Sequence, residues 1–303
     1  MDINKKKKLH FLQEELDNFV LLAKQITPSA GDIPILPGFD SFGGTLPLHS
    51  HAGGDHIIYV DFNNRYDLDG RIARARQAGK QSLVDELERT KESAGFVVAD
   101  VSGHKITDAY VAAMFHQAFL TGVLYELEMN GMISVKLFET INNRFYRSSS
   151  INKFLTMIYC EIKQNGKFNF ISAGHPMPLI FSAEFNCLVN IKPEMLRRFP
   201  PIGTIPSKVD PDSSRVEPPI GYKDTYKVHQ FELMSPGDIL VLVSDGFFEH
   251  EINEENYVEN RFSDALRAVK HKSAQEIYEI ISKDLLEFAP QEDDISMVFI
   301  KRT

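Results

Sequence analysis

Short runs of β-forming residues, each closed by a turn that contains glycine or an acid, constrain the fold of this chain most strongly. They cover residues 56–62, 94–104, 154–163 and 167–173, and recur within 237–249 and 293–300. Asn165-Gly166 is a strong hairpin turn between two of them. Helical periodicity covers 106–129 and 134–147, and 260–288 holds one or two more helices. Because hairpins favour antiparallel pairing, the order predicts an α+β fold rather than a doubly wound parallel sheet.

The N-terminal segment predicts a helix over residues 5–26 that ends before Pro28. Its apolar residues follow a heptad seam of about three repeats. The seam consists of Leu9, Leu12, Leu16, Phe19, Ala23 and Ile26. Such a seam predicts pairing with another helix, either in a second copy as a homodimer or in the chain's own domain.

The rest of the chain divides into a short N-terminal part, residues 1–39, and one large domain, residues 40–303. Residues 27–51 are rich in Pro, Gly and Ser and predict an ordered approach segment or linker. Residues 63–93 are highly charged and predict an exposed helical insertion, and the Pro-rich residues 184–227 predict a surface flap.

Four arginines in the charged insertion have two interpretations. They either contact a phosphoprotein or, as we favour, form a solvated helix face paired with nearby acids. These are Arg65, Arg71, Arg74 and Arg76.

Composition excludes several classes of function. A net charge of −9 gives no electrostatic case for binding nucleic acid or an anionic membrane. Cys160 and Cys187 are isolated, so no disulfide framework or paired-cysteine metal site is expected. No apolar run approaches the roughly 18 residues of a membrane span, and the N-terminus lacks a signal-peptide core. We therefore expect a cytoplasmic protein without a membrane span.

Acids at the ends of apolar runs are the most informative pattern. Asp55 opens one run, Asp100 and Asp245 close two others, and Asp293 and Asp294 open the last. Each alone has an ordinary interpretation as a turn or cap residue. Together they predict a carboxylate cluster that needs cations, and oxygen ligands favour Mg²⁺ or Mn²⁺ over Zn²⁺. Two such ions activate water and stabilise a phosphoryl transition state.

Six motifs in order resemble those of the metal-dependent serine/threonine phosphatases of the PPM (PP2C) superfamily, in the bacterial sporulation-stage-II-E and sigma-factor-regulator branch. The motifs are GGD (53–55), ADVSGH (99–104), FLTMIYCEI (154–162), SAGHPMPLIF (172–181), PGDILVLVSDGFFE (236–249) and DDISMV (293–298). The resemblance covers about residues 40–302. It implies an αββα sandwich of two antiparallel sheets flanked by helices, with two Mn²⁺ or Mg²⁺ ions at one end.

The resemblance also implies a role for each acid. The implied set is Asp55 for the second metal, Asp100 as the bridge between both, the Val101 carbonyl as a backbone ligand, and Asp245 and Asp293 for the first metal. Asp294 is the alternative to Asp293, because the doubled acid leaves the register open by one residue. The implied substrate is a phosphoserine or phosphothreonine protein, with an anti-sigma-factor antagonist of the STAS type as the expected partner.

Two nearby positions depart from the pattern. The branch commonly has a second aspartate three positions after the GGD acid, where this chain has Ile58. Asp61 lies six residues after Asp55, about 20 Å along a strand, so it is not expected to bind the same ions.

The histidines have competing roles. His104 and His175 are either general acids or, as we favour, hydrogen-bonding turn residues. His51 and His56 flank the predicted site and are expected to lie outside the direct ligand set.

Other enzyme classes lack their defining residues. A diguanylate cyclase needs an acid directly after Asp55, where His56 stands. No G-x-S-x-G elbow supports a serine hydrolase, and no GxxxxGK[ST] loop supports a P-loop nucleotide site. Three hypotheses remain: a protein phosphatase, a pseudo-phosphatase that binds a partner, and a metal phosphoesterase acting on a small molecule.

Overall fold

A computed structural model gives the conformation of most of the chain. It describes residues 3–28, 32–48, 53–103, 106–148, 153–189, 191, 196–209, 218–232 and 234–303. The strands are β1 (Phe39–Leu46), β2 (His56–Val60), β3 (Ser93–Val101), β4 (Leu155–Lys163), β5 (Phe168–Ala173), β6 (Leu179–Ser182), β7 (Cys187–Val189), β8 (His229–Phe231), β9 (Ile239–Val243), β10 (Glu251–Ile252), β11 (Glu255–Asn256) and β12 (Ile295–Arg302). The helices are α1 (Ile3–Ile26), α2 (Phe62–Arg65), α3 (Leu68–Gln77), α4 (Gln81–Thr90), α5 (Ile106–Met129), α6 (Val135–Ser148), α7 (Asp245–Phe248), α8 (Ser263–Val269) and α9 (Ala274–Phe288), with a π-helical turn at Val258–Phe262.

Two antiparallel sheets form the centre of the described structure. One has the strand order β2-β3-β4-β5-β8 and the other β1-β12-β9-β6-β7. A small hairpin of β10 and β11 stands apart from both. The predicted αββα sandwich, with an N-terminal helix, is confirmed.

Alternation along the strands builds a layer of core between the sheets. In β2, Ile57 joins the cluster between the sheets, whereas Ile58 joins the cluster under the helices. In β12, Val298 faces the other sheet and Phe299 faces α8 and α9. Both faces of the central strands are therefore buried, which explains why their sequences are continuous apolar runs.

Helices cover the outer face of each sheet. Helices α3 to α6 pack on the first sheet through buried residues such as Leu87, Phe115 and Phe138. Helices α8 and α9 pack on the second sheet through Leu266 and Ile281. At about 25 cal/mol per Å² of apolar surface, these layers supply most of the favourable free energy of folding.

Strand β1 lies within residues 27–51, for which the sequence predicts an ordered approach segment or linker and no strand. The strand pairs along its whole length with β12. A Cβ on Gly43 would lie 2.6 Å from the Met297 carbonyl oxygen, so glycine permits the close approach. The strand forms because β12 supplies its hydrogen-bond partners, and its own glycine-rich sequence carries little β signal.

The charged segment 63–93 forms helices with one buried side. Leu68, Ile72, Val84 and Leu87 are buried in the core, so the segment is exposed only on its polar face. The four arginines singled out above each have an acidic neighbour, as the interpretation of a helix face paired with acids predicts. The pairs are Arg65–Asp32, Arg71–Glu128, Arg74–Glu128 and Arg76–Glu88.

The Pro-rich segment is tied to α6 by buried polar groups in its described parts. Glu139 accepts two hydrogen bonds from Lys223 Nζ, at 2.9 and 2.8 Å, and both side chains are buried. Asn142 accepts a hydrogen bond from Gly203 N, and Asn143 accepts one from Ser207 N. These residues pack against α6 and do not stand away from the domain as a separate flap.

Candidate metal centre

Four chain segments bring their acids to the same edge of the sandwich. In the first sheet, His56 pairs with Ala99, which places Asp55 next to Asp100 across the β2–β3 ladder. In the second sheet, Asp245 follows β9 and Asp294 precedes β12, and these strands are antiparallel neighbours. The expected convergence of the strand ends is therefore what the structure shows.

Direct hydrogen bonds join the two sheets at this edge. Ser244 Oγ donates to Asp55 Oδ2 over 2.6 Å. Gly54 N donates to Asp294 Oδ2 over 2.8 Å, and Leu48 N donates to Asp294 Oδ1 over the same distance. Asp294 is thus bonded by two backbone amides that lie far away in sequence.

Glycines allow the segments to approach each other. A Cβ on Gly53 would lie 1.9 Å from Asp294 Oδ2. A Cβ on Gly54 would lie 2.6 Å from the Val101 carbonyl oxygen and 3.1 Å from Asp100 Oδ1. The GGD turn therefore faces both the Asp100 carboxylate and the carbonyl predicted to bind metal.

The acids raise the pKa of one another. Burial, followed by the charges of Asp245, Asp293 and Asp294, raises the pKa of Asp100 to about 8. Burial and the Asp100 charge raise the pKa of Asp55 well above its ordinary value, against the Ser244 hydrogen bond that lowers it. A cluster whose members resist ionisation is stabilised by a cation, because the cation offsets the repulsion.

Carboxylate and carbonyl oxygens in this cluster suit Mg²⁺ or Mn²⁺ in type and charge. Among the described residues, no three acid, histidine or cysteine side chains are already arranged around a single metal position. The donor set fits these ions in its chemical type.

The structure separates the two adjacent acids Asp293 and Asp294. Asp294 is buried and its two oxygens accept the amides of Leu48 and Gly54. Asp293 is partly exposed, and its Oδ1 accepts the Asp294 amide. Asp293 is the better candidate for a ligand, while Asp294 connects the GGD turn to β12.

This separation gives a testable difference. We expect Asp294→Asn to lose a charge-assisted hydrogen bond and about 1.5–3 kcal/mol of the free energy of unfolding. Asp293→Asn should not lower the metal-free stability, because it removes a charge that repels Asp100, and it should lose Mn²⁺ binding. Chemical denaturation in EDTA and Mn²⁺ titration measure the two effects. Equal stability of both variants would contradict the division of roles.

Asp61 lies away from the cluster, as predicted. It is the N-cap of α2, and its carboxylate accepts the amides of Asn63 and Asn64. Its Oδ2 also accepts the amide of Ile35.

The two described histidines near the centre are buried. His175 Nδ1 lies 2.9 Å from Thr156 Oγ1, and burial lowers the pKa of His175 to about 3. His56 Nε2 lies 2.7 Å from His116 Nδ1, and burial lowers its pKa to about 3 as well. Both imidazoles are neutral near pH 7, which opposes a general-acid role for His175. The predictions for His51 and His104 lie outside the described residues.

Sequence reasoning missed Ser244, which connects both sheets. Its Oγ donates to Asp55 and accepts the Ser296 amide over 2.9 Å. A single serine before an aspartate carries no specific signal, so only the assembled structure identifies it.

An open groove lies beside Asp293 and holds about 460 Å³. Its lining includes Gly246, Glu249, Glu251 and Glu292. Of the predicted metal ligands, Asp293 lines this groove.

A membrane-spanning helix is not found in the described part of the chain, since none of its helices is both long and apolar enough.

Solved structures with the same fold were found by structural comparison. The SiaA-PP2C domain of Pseudomonas aeruginosa shares 16% identity at a TM-score of 0.66, with 99% of each chain covered. The RsbU and RsbW domains of Rv1364c from Mycobacterium tuberculosis share 18% identity at a TM-score of 0.62, and cover 91% of this chain. The PP2C phosphatase domain of SpoIIE from Bacillus subtilis, with a fragment of its regulatory domain, shares 14% identity at a TM-score of 0.58, with 87% of this chain covered.

These likenesses show the fold alone. This chain spans 64% of the length of the mycobacterial chain and 63% of the Bacillus chain. No curated protein sequence matches it. The family model of stage II sporulation protein E (SpoIIE) matches residues 90–303, which is more than half of the chain. The chain therefore belongs to the stage II sporulation protein E (SpoIIE) family.

Proposed function

We propose that this protein is a metal-dependent serine/threonine phosphatase that hydrolyses phosphoserine or phosphothreonine in a protein substrate. The observation that carries the proposal is the convergence of acids from both sheets, with the pKa of Asp100 raised to about 8 by burial and by the neighbouring acids. The proposed ligands of two Mn²⁺ or Mg²⁺ ions are Asp55, Asp100, the Val101 carbonyl, Asp245 and Asp293.

When bound, the two ions would activate water and neutralise the phosphoryl group. Residues of the chain position the proposed ligands of these ions. Ser244 fixes one oxygen of Asp55, and the GGD turn allows Asp100 and the Val101 carbonyl to face the same space. The groove beside Asp293 is open to a side chain carried by another protein.

The proposed substrate is a phosphorylated STAS-type antagonist of an anti-sigma factor, in a bacterial stress-signalling pathway. Support comes from the SpoIIE family match and from the likeness to the RsbU domain structure. A pseudo-phosphatase is less well supported, because the predicted acids of the centre are all present.

A phosphatase assay tests this proposal. We expect Mn²⁺-dependent release of phosphate from p-nitrophenyl phosphate and faster release from a phosphorylated STAS domain, with both reactions abolished by EDTA. Mn²⁺ binding without turnover of either substrate would indicate the pseudo-phosphatase. Turnover of small phosphate esters alone, with the phosphoprotein left intact, would indicate the small-molecule enzyme.

The N-terminal helix α1 has two different halves. Leu16, Phe19 and Ala23 are half-buried on its C-terminal half, which contacts α5. Leu9 and Leu12 are 61% and 53% exposed. The exposed half continues the same seam, so we propose that it pairs with a second copy of the chain.

Replacing Leu9 and Leu12 together by Asp should shift the protein from dimer to monomer without unfolding it, because both side chains are exposed. Analytical ultracentrifugation measures the shift, which we expect to exceed about tenfold in the dissociation constant. Leu22→Asp is the matched control, since Leu22 is 62% exposed and lies off the seam. A wild type that stays monomeric at high concentration would disprove self-pairing.

A further inference from the structure

A buried ion pair lies behind the loop that follows Asp100. Asp108, in the first turn of α5, has no exposed side-chain surface, and its Oδ1 lies 2.9 Å from Lys153 Nζ. Lys153 precedes β4, and its ammonium also donates to the Ser102 carbonyl. One lysine thus connects α5, the start of β4 and the loop after β3.

The same loop is fixed by the backbone and by a glycine. Ser102 N donates to the Phe154 carbonyl over 3.1 Å. Gly103 has a φ of +113°, and a Cβ there would lie 2.8 Å from both Asp108 Oδ2 and Lys153 Nζ. The Gly103 carbonyl oxygen in turn lies 2.5 Å from the Cβ position of Gly54. The loop is therefore enclosed between the ion pair and the GGD turn.

The peptide groups that carry the Val101 and Ser102 carbonyls are adjacent in the chain, so holding the Ser102 carbonyl on Lys153 restricts the orientation of the preceding Val101 carbonyl. The Val101 oxygen faces the GGD turn, where it lies 2.6 Å from the Gly54 Cβ position. The orientation of the proposed backbone ligand thus depends on the lysine.

Lys153 compensates the burial of the Asp108 side chain. A buried carboxylate is costly unless a cation and hydrogen bonds offset the loss of water around it. Lys153 is 27% exposed, so it meets this need while keeping part of its side chain at the surface.

We propose that Lys153 and Asp108 are positioning residues of the metal centre, which hold the Ser102–Gly103 loop so that the Val101 carbonyl and Asp100 face the ions. This inference rests on the proposed function, since it assumes that the acid cluster binds Mn²⁺. The pair does not itself contact metal or substrate.

Mn²⁺ affinity, measured by calorimetry on the full chain, tests the inference independently of turnover. Lys153→Met should weaken Mn²⁺ binding by about 10–100-fold, the usual effect of losing a group that orients a metal ligand. Lys153→Arg, which keeps the charge and the donors, should restore binding to within a few-fold of wild type. The matched control is Lys223→Met, which breaks the buried pair with Glu139 and should lower the melting temperature in EDTA while leaving Mn²⁺ affinity unchanged.

A double variant, Asp108→Asn with Lys153→Met, protects the test against misfolding, because it leaves no unpaired buried charge. It should fold and still bind Mn²⁺ about 10–100-fold more weakly than wild type. Wild-type Mn²⁺ affinity in this variant, with or without a lowered melting temperature, would overturn the positioning role. A wild type that binds no Mn²⁺ would overturn the metal centre itself and this inference with it.

Discussion

Asp100→Asn and Asp245→Asn should each lower Mn²⁺-dependent phosphatase activity by more than about 100-fold. Loss of a group that merely orients a metal ligand already costs about 10–100-fold, and an amide is a much poorer ligand for a hard dication than a carboxylate. Phosphate release by the purified variants, with circular dichroism spectra equal to wild type, measures the effect.

Asp61→Asn is the matched control for these variants. Asp61 lies just beyond the other end of β2 and caps α2, and asparagine is an equally good N-cap residue. Its activity should equal that of wild type. Turnover within about tenfold of wild type in either Asp100→Asn or Asp245→Asn would show that the acid cluster is not the catalytic centre.

The metal-free protein should lose stability as the pH rises, and Mn²⁺ should restore it. The pKa of Asp100 is about 8 in the folded chain, whereas an aspartate in an unfolded chain titrates near 3.9. The folded state therefore binds more protons between these two values, so its stability is greatest below about pH 4 with respect to this group and falls until about pH 8. We expect a loss on the order of a few kcal/mol over this window.

Melting temperatures in EDTA and in excess Mn²⁺ measure this dependence. Mn²⁺ at about 100 times its dissociation constant adds about 2.7 kcal/mol by mass action. The control is Asp100→Asn, which removes one repelling charge and should melt at a higher temperature than wild type in EDTA near pH 8. A metal-free wild type whose stability is flat from pH 5 to 8, or which is unaffected by Mn²⁺, would contradict the electrostatic description of the cluster.

Much of the fold can be predicted because the central strands are buried on both faces. Continuous apolar runs such as residues 239–243 then stand out against their turns, and Asn165-Gly166 fixes one hairpin. The acids of the cluster are visible for a related reason. They lie where these apolar runs start or stop. In an antiparallel sheet the start of one strand lies beside the end of its neighbour, so the acids meet at one edge.

Features that depend on distant partners could not be predicted. Strand β1 needs β12 to supply its hydrogen bonds, and its glycines carry little β preference. The roles of Asp293 and Asp294 differ only because the amides of Leu48 and Gly54 reach Asp294 across the sandwich. The two acids are adjacent in the sequence, so the sequence alone cannot reveal which of them accepts these hydrogen bonds.

The pair of Lys153 and Asp108 also depends on residues that are distant in the sequence, so it could not be predicted. The two residues are far apart in the chain and belong to no motif, and they meet only because α5 and β4 both leave the edge where the acids converge. Local sequence patterns report strands and turns, whereas the side chains that orient a site are set by tertiary contacts.

Anomalous diffraction from a crystal of the protein soaked in Mn²⁺ tests the central claim most directly. The account predicts two manganese peaks at the edge of the sandwich, surrounded by Asp55, Asp100, Asp245 and Asp293, with the Val101 carbonyl oxygen about 2.0–2.2 Å from one of them, close to the distances of Mg²⁺ and its ligands. Manganese bound elsewhere, or no peak at this edge in a crystal that leaves the edge open to solvent, would contradict it.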